Sequence, residues 1–396
     1  MIQRISVAER RARLGVRHRL AAASRADDAP DVARSLVAVH GTDPSSVYLG
    51  LLARMSGASL QAVDRALYTD RTLIRLLGMR RTVFVATLDV APQIQAACST
   101  AVAAAQRRQL LRWLAVAEFC DGADPGRWLA GAAEAALRAL AARGEATAAE
   151  LAGDDERLAL QISVAPGTSS AGQFSVASRV LALLAAEGHI VRTRPRGSWI
   201  SHQYRWAPMA AWYPPGLSGC PAETAEADLA RRWLHAYGPA TAEDLRWWAG
   251  WTKTQLRRAL TVVQPDEVDL DGAAGIALPG DTGPVPEPDP WVALLPALDS
   301  TPMGWQQRRW FLGEHGPRLF DRTGNIGPSL WWNGRIVGGW AQDRDGRVTC
   351  RFIEDAGAEA VAAADAAAAS LTAVLDGTRL TPRTRGRTWL EQELAG

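Results

Sequence analysis

One theme recurs three times along the 396-residue chain, and it constrains the fold more than any single motif does. A helix is followed by a short second helix, a longer third helix and then a β-hairpin. The second copy is the most regular. An Ala/Leu-rich helix, WLAGAAEAALRALAARG, ends near Gly144, Thr147 is placed as the N-cap of TAAELA, and a longer helix runs through SVASRVLALLAAEG until Gly188 stops it. The alternating segments IVRTR and SWISHQYRW then flank Pro195, Arg196 and Gly197, which supply the turn. The third copy is AEADLARRWLHAYG, TAEDLRWWAG and TKTQLRRALTVV, punctuated by Gly238-Pro239 and Gly250. Its hairpin, EVDLDGAAGIAL, is acidic, which predicts that this module is structural or faces away from phosphates. In the first copy, helices around residues 7–22, 30–40 and 59–68 precede the hairpin TLIRLLGMRRTVFVA, with Gly78 at its turn.

This order of elements is that of a winged helix. Beyond the Pro-rich stretch Gly280–Pro290 the texture changes to short strands with Gly turns: WVALLPALD, PSLWWNG, RIVGGWAQD and RVTCRF. The late segment AEAVAAADAAAASLTAVL predicts a helix, since alanine is the best helix former and no breaker interrupts it. The expected fold class is therefore α+β, mainly α, with three tandem winged-helix (helix-turn-helix) modules and a C-terminal β-rich domain. The expected boundaries are 1–122, 123–216, 217–284 and 285–396.

Composition excludes several classes. The hydrophobic and charged fractions, 47% and 22%, are those of a globular chain, and no uninterrupted apolar run approaches the ~20 residues that span a bilayer. The start, MIQRISVAERRARLGVRHRLAAAS, has arginines throughout and no clean apolar stretch before a small-residue cleavage site. A cytoplasmic protein with no membrane partner is expected. Cys98, Cys120, Cys220 and Cys350 lie far apart with no CxxC, so buried thiols are expected rather than a zinc knuckle or a disulfide framework. The net charge is only +2, and Lys253 is the single lysine, so arginine must carry any anion binding. No Rossmann glycine motif, Walker loop, HExxH or GxSxG is present, and nothing calls for a metal or an organic cofactor.

Three arginine clusters remain: Arg10, Arg11, Arg13, Arg17 and Arg19; Arg192, Arg194, Arg196 and Arg205; and Arg379, Arg383, Arg385 and Arg387. Beside winged-helix signatures they favour DNA over a merely solvated face. In the second hairpin Trp199, His202, Tyr204 and Trp206 interleave with arginines, as rings that stack on bases or as ordinary strand packing. Trp247, Trp248 and Trp251 fall at a helical spacing that suits a packed face. Among the histidines, His40 opens HGTDPSS, which clusters an imidazole, the Thr42 hydroxyl and the Asp43 carboxylate ahead of a helix. The same Asp43-Pro44 is also an N-cap followed by a first-turn proline, and spacing alone favours that plainer reading.

The stretch VHGTDPSSVYLGLLARMSG, with ALYTDRTLIRLLGMRRTVFVA, resembles the opening module of the AlkZ/AlkX (YcaQ-like) family of winged-helix DNA glycosylases. LLPALDSTPMGW, Arg308-Arg309 and LFDRTGNIGPSLWWNGRIVGGW look like that family's β-domain, so the resemblance covers nearly the whole chain. It implies a C-shaped, concave DNA-binding surface and hydrolysis of the N-glycosidic bond of alkylated purines in double-stranded DNA, by a monomer. The family's catalytic motif is Gln-apolar-Gln or Gln-apolar-Asp where this chain has His40, Gly41 and Thr42, which marks a divergent branch. Either the site is rebuilt around His40, Thr42 and Asp43, or the chain is a non-catalytic winged-helix DNA-binding protein. The resemblance further implies DNA contacts from Arg80, Arg81 and Thr82, which match its Met-Arg-x-Thr pattern. Further DNA contacts are expected from Arg192, Arg194, Arg196, Trp199 and His202, and from Arg322 and Asn325 in DRTGN, where Asn325 is equally explained by turn chemistry.

Overall fold

The computed structural model describes residues 2–57, 59–120, 124–164, 172–381 and 388–395. The chain opens with strand β1 (Gln3–Arg4) and helix α1 (Val7–Arg17), capped by the Ser6 hydroxyl, which accepts from the amide of Glu9. The first repeat comprises α2 (Ala29–Ser35), β2 (Val39–His40), α3 (Pro44–Leu52), α4 (Leu60–Asp64, continued as a π-helical turn over Arg65–Thr69), β3 (Leu73–Leu77) and β4 (Val83–Thr87). Its sheet order is β2-β4-β3. The helix expected over 30–40 stops at Ser35, because Val37 takes a positive φ of 63° and the β-branched Val39 pairs with Val85 instead.

The second repeat has the same connectivity. Its helices are α5 (Pro125–Arg143), α6 (Ala148–Ala152) and α7 (Val176–Ala186). Between α6 and α7 stands a hairpin, β5 (Gln161–Val164) with β6 (Gly172–Ser175), that the sequence reading passed over. The closing hairpin is β7 (Ile190–Pro195) and β8 (Tyr204–Pro208), and Ala146 bridges Trp206 as β2 bridges β4. SWISH is loop rather than strand, since pairing slips between Arg192 and Pro195 and Gly197 turns the chain at a φ of 85°.

In the third repeat α8 (Ala222–Tyr237), α9 (Ala242–Ala249) and α10 (Lys253–Val263) precede β9 (Asp266–Asp269) and β10 (Ala274–Ala277), with Ala240 bridging Ile276. Capping boxes at Thr147, Thr241 and Thr252 start α6, α9 and α10, each hydroxyl taking the amide three residues on. The acidic third hairpin takes up the N-terminal segment of the chain. β1 adds to β9 in parallel, Arg4 pairs with Asp271 at 2.8 Å, and the Val7 amide donates to the same carboxylate.

The C-terminal domain is an antiparallel meander, β11 (Val292–Leu295), β12 (Ser329–Trp332), β13 (Arg335–Gln342) and β14 (Val348–Phe352), in sequential order. Helix α11 (Gly357–Leu375) packs Ala360, Ala364, Ala368 and Leu375 inward against β11 and β14. By length and composition alone this alanine-rich helix could cross a membrane. Helix α12 (Trp389–Ala395) lies on β13, where a side chain at Gly339 would strike Leu390 at 2.5 Å.

The segment LDSTPMGW stitches the first repeat, the third repeat and this domain together. Arg54, fully buried, donates to both oxygens of Asp299 (2.9 and 2.7 Å) and to Thr301 (2.8 Å). Thr301 also meets His18 Nδ1 at 2.7 Å, and the Trp305 indole donates to the Tyr237 carbonyl at 3.1 Å. Burial, then the nearby Arg54 charge, hold the His18 imidazole well below its usual range.

Candidate active site

Strand β2 carries the sequence-flagged loop to the edge of the first sheet. The Gly41 amide extends the pairing by donating to the Val83 carbonyl at 2.7 Å, and a Cβ there would sit 3.3 Å from the β4 backbone, a tight fit for any side chain. The Ser300 hydroxyl fixes the strand from below. It accepts from the His40 amide at 2.9 Å and donates to the Ala38 carbonyl at 3.2 Å. The His40 ring is buried, edge-on to Phe84 with centroids 5.2 Å apart, whereas Thr42 is exposed.

Asp43 stands at the N-cap position of α3 but makes no bond to the helix amides. The N-cap position and the first-turn proline are as expected, but the side-chain capping bond is not made. The hydroxyls of Ser45 and Ser46 both donate to its Oδ2 at 2.7 Å, and Oδ1 faces His202 Nε2 at 3.7 Å. Proline at the first helical position removes one orphan amide, and the helix N-terminus favours the negative charge. The result is a part-buried carboxylate with one oxygen tied and the other turned toward the second repeat.

The loop between β7 and β8 reaches across that junction. Arg194 binds Asp64 with Nη1 at 2.6 and 2.7 Å from the two carboxylate oxygens, and its guanidinium lies 5.0 Å from the Tyr68 ring centroid. Tyr48 donates to Asp64 at 3.2 Å while Trp199 tilts against Tyr48 at 5.1 Å. Arg192 sits over Tyr204 and Trp206, at 5.3 and 5.1 Å, and burial lowers its pKa. Beneath them Arg75, 4% exposed, donates through Nη1 to the Gly41 carbonyl at 3.3 Å. The sequence reading missed Arg75, although an arginine inside the apolar strand LIRLL was a visible signal.

Elsewhere the flagged residues divide. At the first hairpin turn Arg80 and Arg81 both take positive φ, 50° and 61°, a strain of order 1–3 kcal/mol each. Arg80 is held by the Met303 carbonyl (3.2 Å) and the Trp247 face (3.9 Å), and burial, then the charge of Arg308, bring it down to about 10. Arg81 projects outward, and the Thr82 hydroxyl donates to the Met79 carbonyl. Arg196 and Arg322 are exposed. Asn325 turns its amide onto Asp321 (3.1 Å) and Thr323 (2.5 Å), so the turn chemistry accounts for it.

The N-terminal arginine cluster is a correction to the reading that favoured DNA, because its members bind protein. Arg13 and Arg17 hold Asp281 at 3.0 and 2.7 Å, Arg11 donates to the Trp310 carbonyl, and Arg10 stacks 4.1 Å from the Trp310 ring. In the C-terminal cluster Arg379 donates to the carbonyls of Asp343 and Arg344, while Arg383, Arg385 and Arg387 fall outside the described residues. Among the described residues no group of three or more His, Cys, Asp or Glu is placed to hold a metal ion.

Three repeats of one connectivity, a sheet domain that locks them together and an acidic site at the first junction define a modular α+β protein. The chain belongs to the DNA glycosylase AlkZ-like family, whose model matches residues 33–374. Its fold is similar to that of Streptomyces sahachiroi DNA glycosylase AlkZ, with a TM-score of 0.73 at 21% sequence identity over 96% of this chain and 100% of that one. No curated protein matches the chain.

Proposed function

We propose that the chain is a monofunctional DNA glycosylase that hydrolyses the N-glycosidic bond of bulky N7-alkylguanine adducts, for DNA repair or for self-resistance to a DNA-alkylating natural product. The observation that carries this reading is Asp43. It is a carboxylate released from capping, tied on one oxygen by two hydroxyls and facing a junction lined with arginines and aromatic rings. The repeated connectivity, with a short strand paired to the second strand of each hairpin, supports reading the repeats as three winged helices on a concave surface for duplex DNA.

An N7-alkylguanine is already cationic, so its departure needs no proton from the protein. The C1′–N9 bond breaks with its electron pair left on N9, the base leaves neutral, and positive charge moves to the sugar. Asp43 stabilises that oxocarbenium ion and takes the proton of the attacking water, whose oxygen bonds to C1′. Thr42, exposed beside it, hydrogen-bonds the water. His40, packed on Phe84, completes the catalytic loop from beneath. Lys253, the one lysine, is exposed at the start of α10 in the third repeat, so Schiff-base strand cleavage has no amine here and an intact abasic site is the product. The chain acts as a cytoplasmic monomer, with Arg81, Arg196 and Arg322 meeting phosphates.

The test incubates the protein with a duplex bearing one N7-methylguanine or one bulky N7-guanine adduct, then cleaves abasic sites with alkali. Strand breaks that appear with the protein and collapse in His40→Ala and Asp43→Asn support the reading. Tight binding without abasic product from any cationic guanine adduct favours a non-catalytic DNA-binding protein instead.

A further inference from the structure

Asp43 and His202 reach the same point from two different repeats. Asp43 Oδ1 lies 3.7 Å from His202 Nε2, too far for a hydrogen bond, and the side chains are 16% and 61% exposed. The other carboxylate oxygen is taken by the Ser45 and Ser46 hydroxyls, so Oδ1 is the one left to the junction. A neutral imidazole with its proton on Nδ1 accepts at Nε2, and an ionised carboxylate only accepts. Two acceptors at this separation suit a single water, which stands beside the line joining them and donates one hydrogen to each.

The histidine is held in place from both sides. Before it, Trp199 tilts against Tyr48 with ring centroids 5.1 Å apart; after it, the Arg75 and Arg192 guanidinia lie 5.1 and 5.3 Å from the Tyr204 ring centroid. The Tyr204 amide donates to the His202 carbonyl at 3.0 Å, and the Gln203 amide to the Ser201 hydroxyl at 3.2 Å. Asp43 is the charged group that faces the ring from the first repeat. On its own hairpin Arg194 is turned onto Asp64 and Arg196 is exposed.

We propose that His202 is a second catalytic residue, supplied by the second repeat, which shares the attacking water with Asp43; this rests on the glycosylase reading above. With both hydrogens engaged, the water turns its lone pairs away from the protein and toward the sugar. Its oxygen bonds to C1′ as C1′–N9 breaks, one proton passes to Asp43 Oδ1, and the other stays on the new hydroxyl, held by His202 Nε2. Protonating the ring ends this arrangement. Nε2 then becomes a donor, closes on the carboxylate and offsets its charge, and the water loses both acceptors. Histidine changes charge between about pH 5 and 8, so base release falls with pH in that range.

The experiment follows single-turnover release of N7-methylguanine from a duplex by the full chain, with duplex affinity measured in parallel. His202→Phe, which keeps a ring and removes both nitrogens, should lower the rate by about 100-fold at neutral pH with affinity and thermal unfolding unchanged. The native rate should fall about 10-fold from about pH 7.5 to 5.5, whereas His202→Gln, whose amide oxygen accepts at every pH, should vary by less than about 2-fold. A His202→Phe rate within about 3-fold of native, or a native pH profile that His202→Gln reproduces, overturns the proposal and leaves the glycosylase reading intact. A loss of affinity that accounts for the loss of rate does the same, and makes His202 a DNA contact. A native protein that releases no base overturns both.

Discussion

Asp299→Asn isolates the ion pair that locks the first repeat to the C-terminal domain. The Arg54 and Asp299 side chains are 0% and 1% exposed, and the guanidinium grips both carboxylate oxygens. Asparagine keeps the shape, removes the negative charge and turns an amino group toward a donor-only partner. Three neutral acceptors remain to Arg54, the carbonyls of His18 (3.0 Å) and Gly50 (2.6 Å) and the Thr301 hydroxyl (2.8 Å), so the cation is not stranded entirely. The loss therefore belongs near the lower end of the ~3–5 kcal/mol range for a broken buried pair. Asp299→Ala, which also opens a cavity and deprives the Thr301 amide of its acceptor, belongs near the upper end. Denaturant unfolding at pH 7.5 measures the difference from the shift in midpoint at unchanged slope. Replacing both partners, Arg54→Met with Asp299→Leu, should recover most of it, since apolar groups leave no buried charge behind. A loss under about 1 kcal/mol for Asp299→Asn would refute the reasoning, because only solvent-screened pairs are that weak.

Other consequences follow from the same contacts. Since the folded chain holds His18 neutral while the unfolded chain binds its proton near 6.5, this contribution to stability is complete above that pH. It is lost as pH falls below it, at up to ~1.4 kcal/mol per unit. His18→Gln should flatten the stability profile between pH 6.5 and 5, and an unchanged slope contradicts the burial argument. Arg81→Ala and Arg196→Ala should each weaken binding to any duplex and lower the salt slope by about 1, read from binding isotherms at several salt concentrations. Ser300→Ala should slow base release by freeing β2, with duplex affinity unchanged; loss of affinity as well would mean a wider collapse of the module.

The repeat was legible because its signals are local. A Thr at the start of α6, α9 and α10 and the amide three residues on decide a cap without help from the rest of the chain, and alternating apolar residues marked β3, β4 and the C-terminal meander. The strands at Ala146 and Ala240 are single bridges, too short to leave a period, and the β5–β6 hairpin (QISV, GQFS) has no clean alternation to announce it. The N-terminal arginines misled because their partners lie more than 200 residues away, at Asp281 and Trp310. The site was half visible: HGTDPSS drew attention by its chemistry, but whether Asp43 caps amides or binds hydroxyls is settled by side-chain geometry. Arg75, Tyr68 and Tyr204 come from three elements of two modules, a convergence no local pattern reports.

Asp43 is the residue on which the proposed chemistry depends. Single-turnover release of an N7-alkylguanine from a duplex, with protein in excess and DNA binding followed in parallel, compares the native chain with Asp43→Asn. The expected result is unchanged affinity and a rate lower by about 10²–10³-fold, the scale of removing one transition-state charge contact. Equal rates in the two proteins would contradict it and move the chemistry away from this carboxylate.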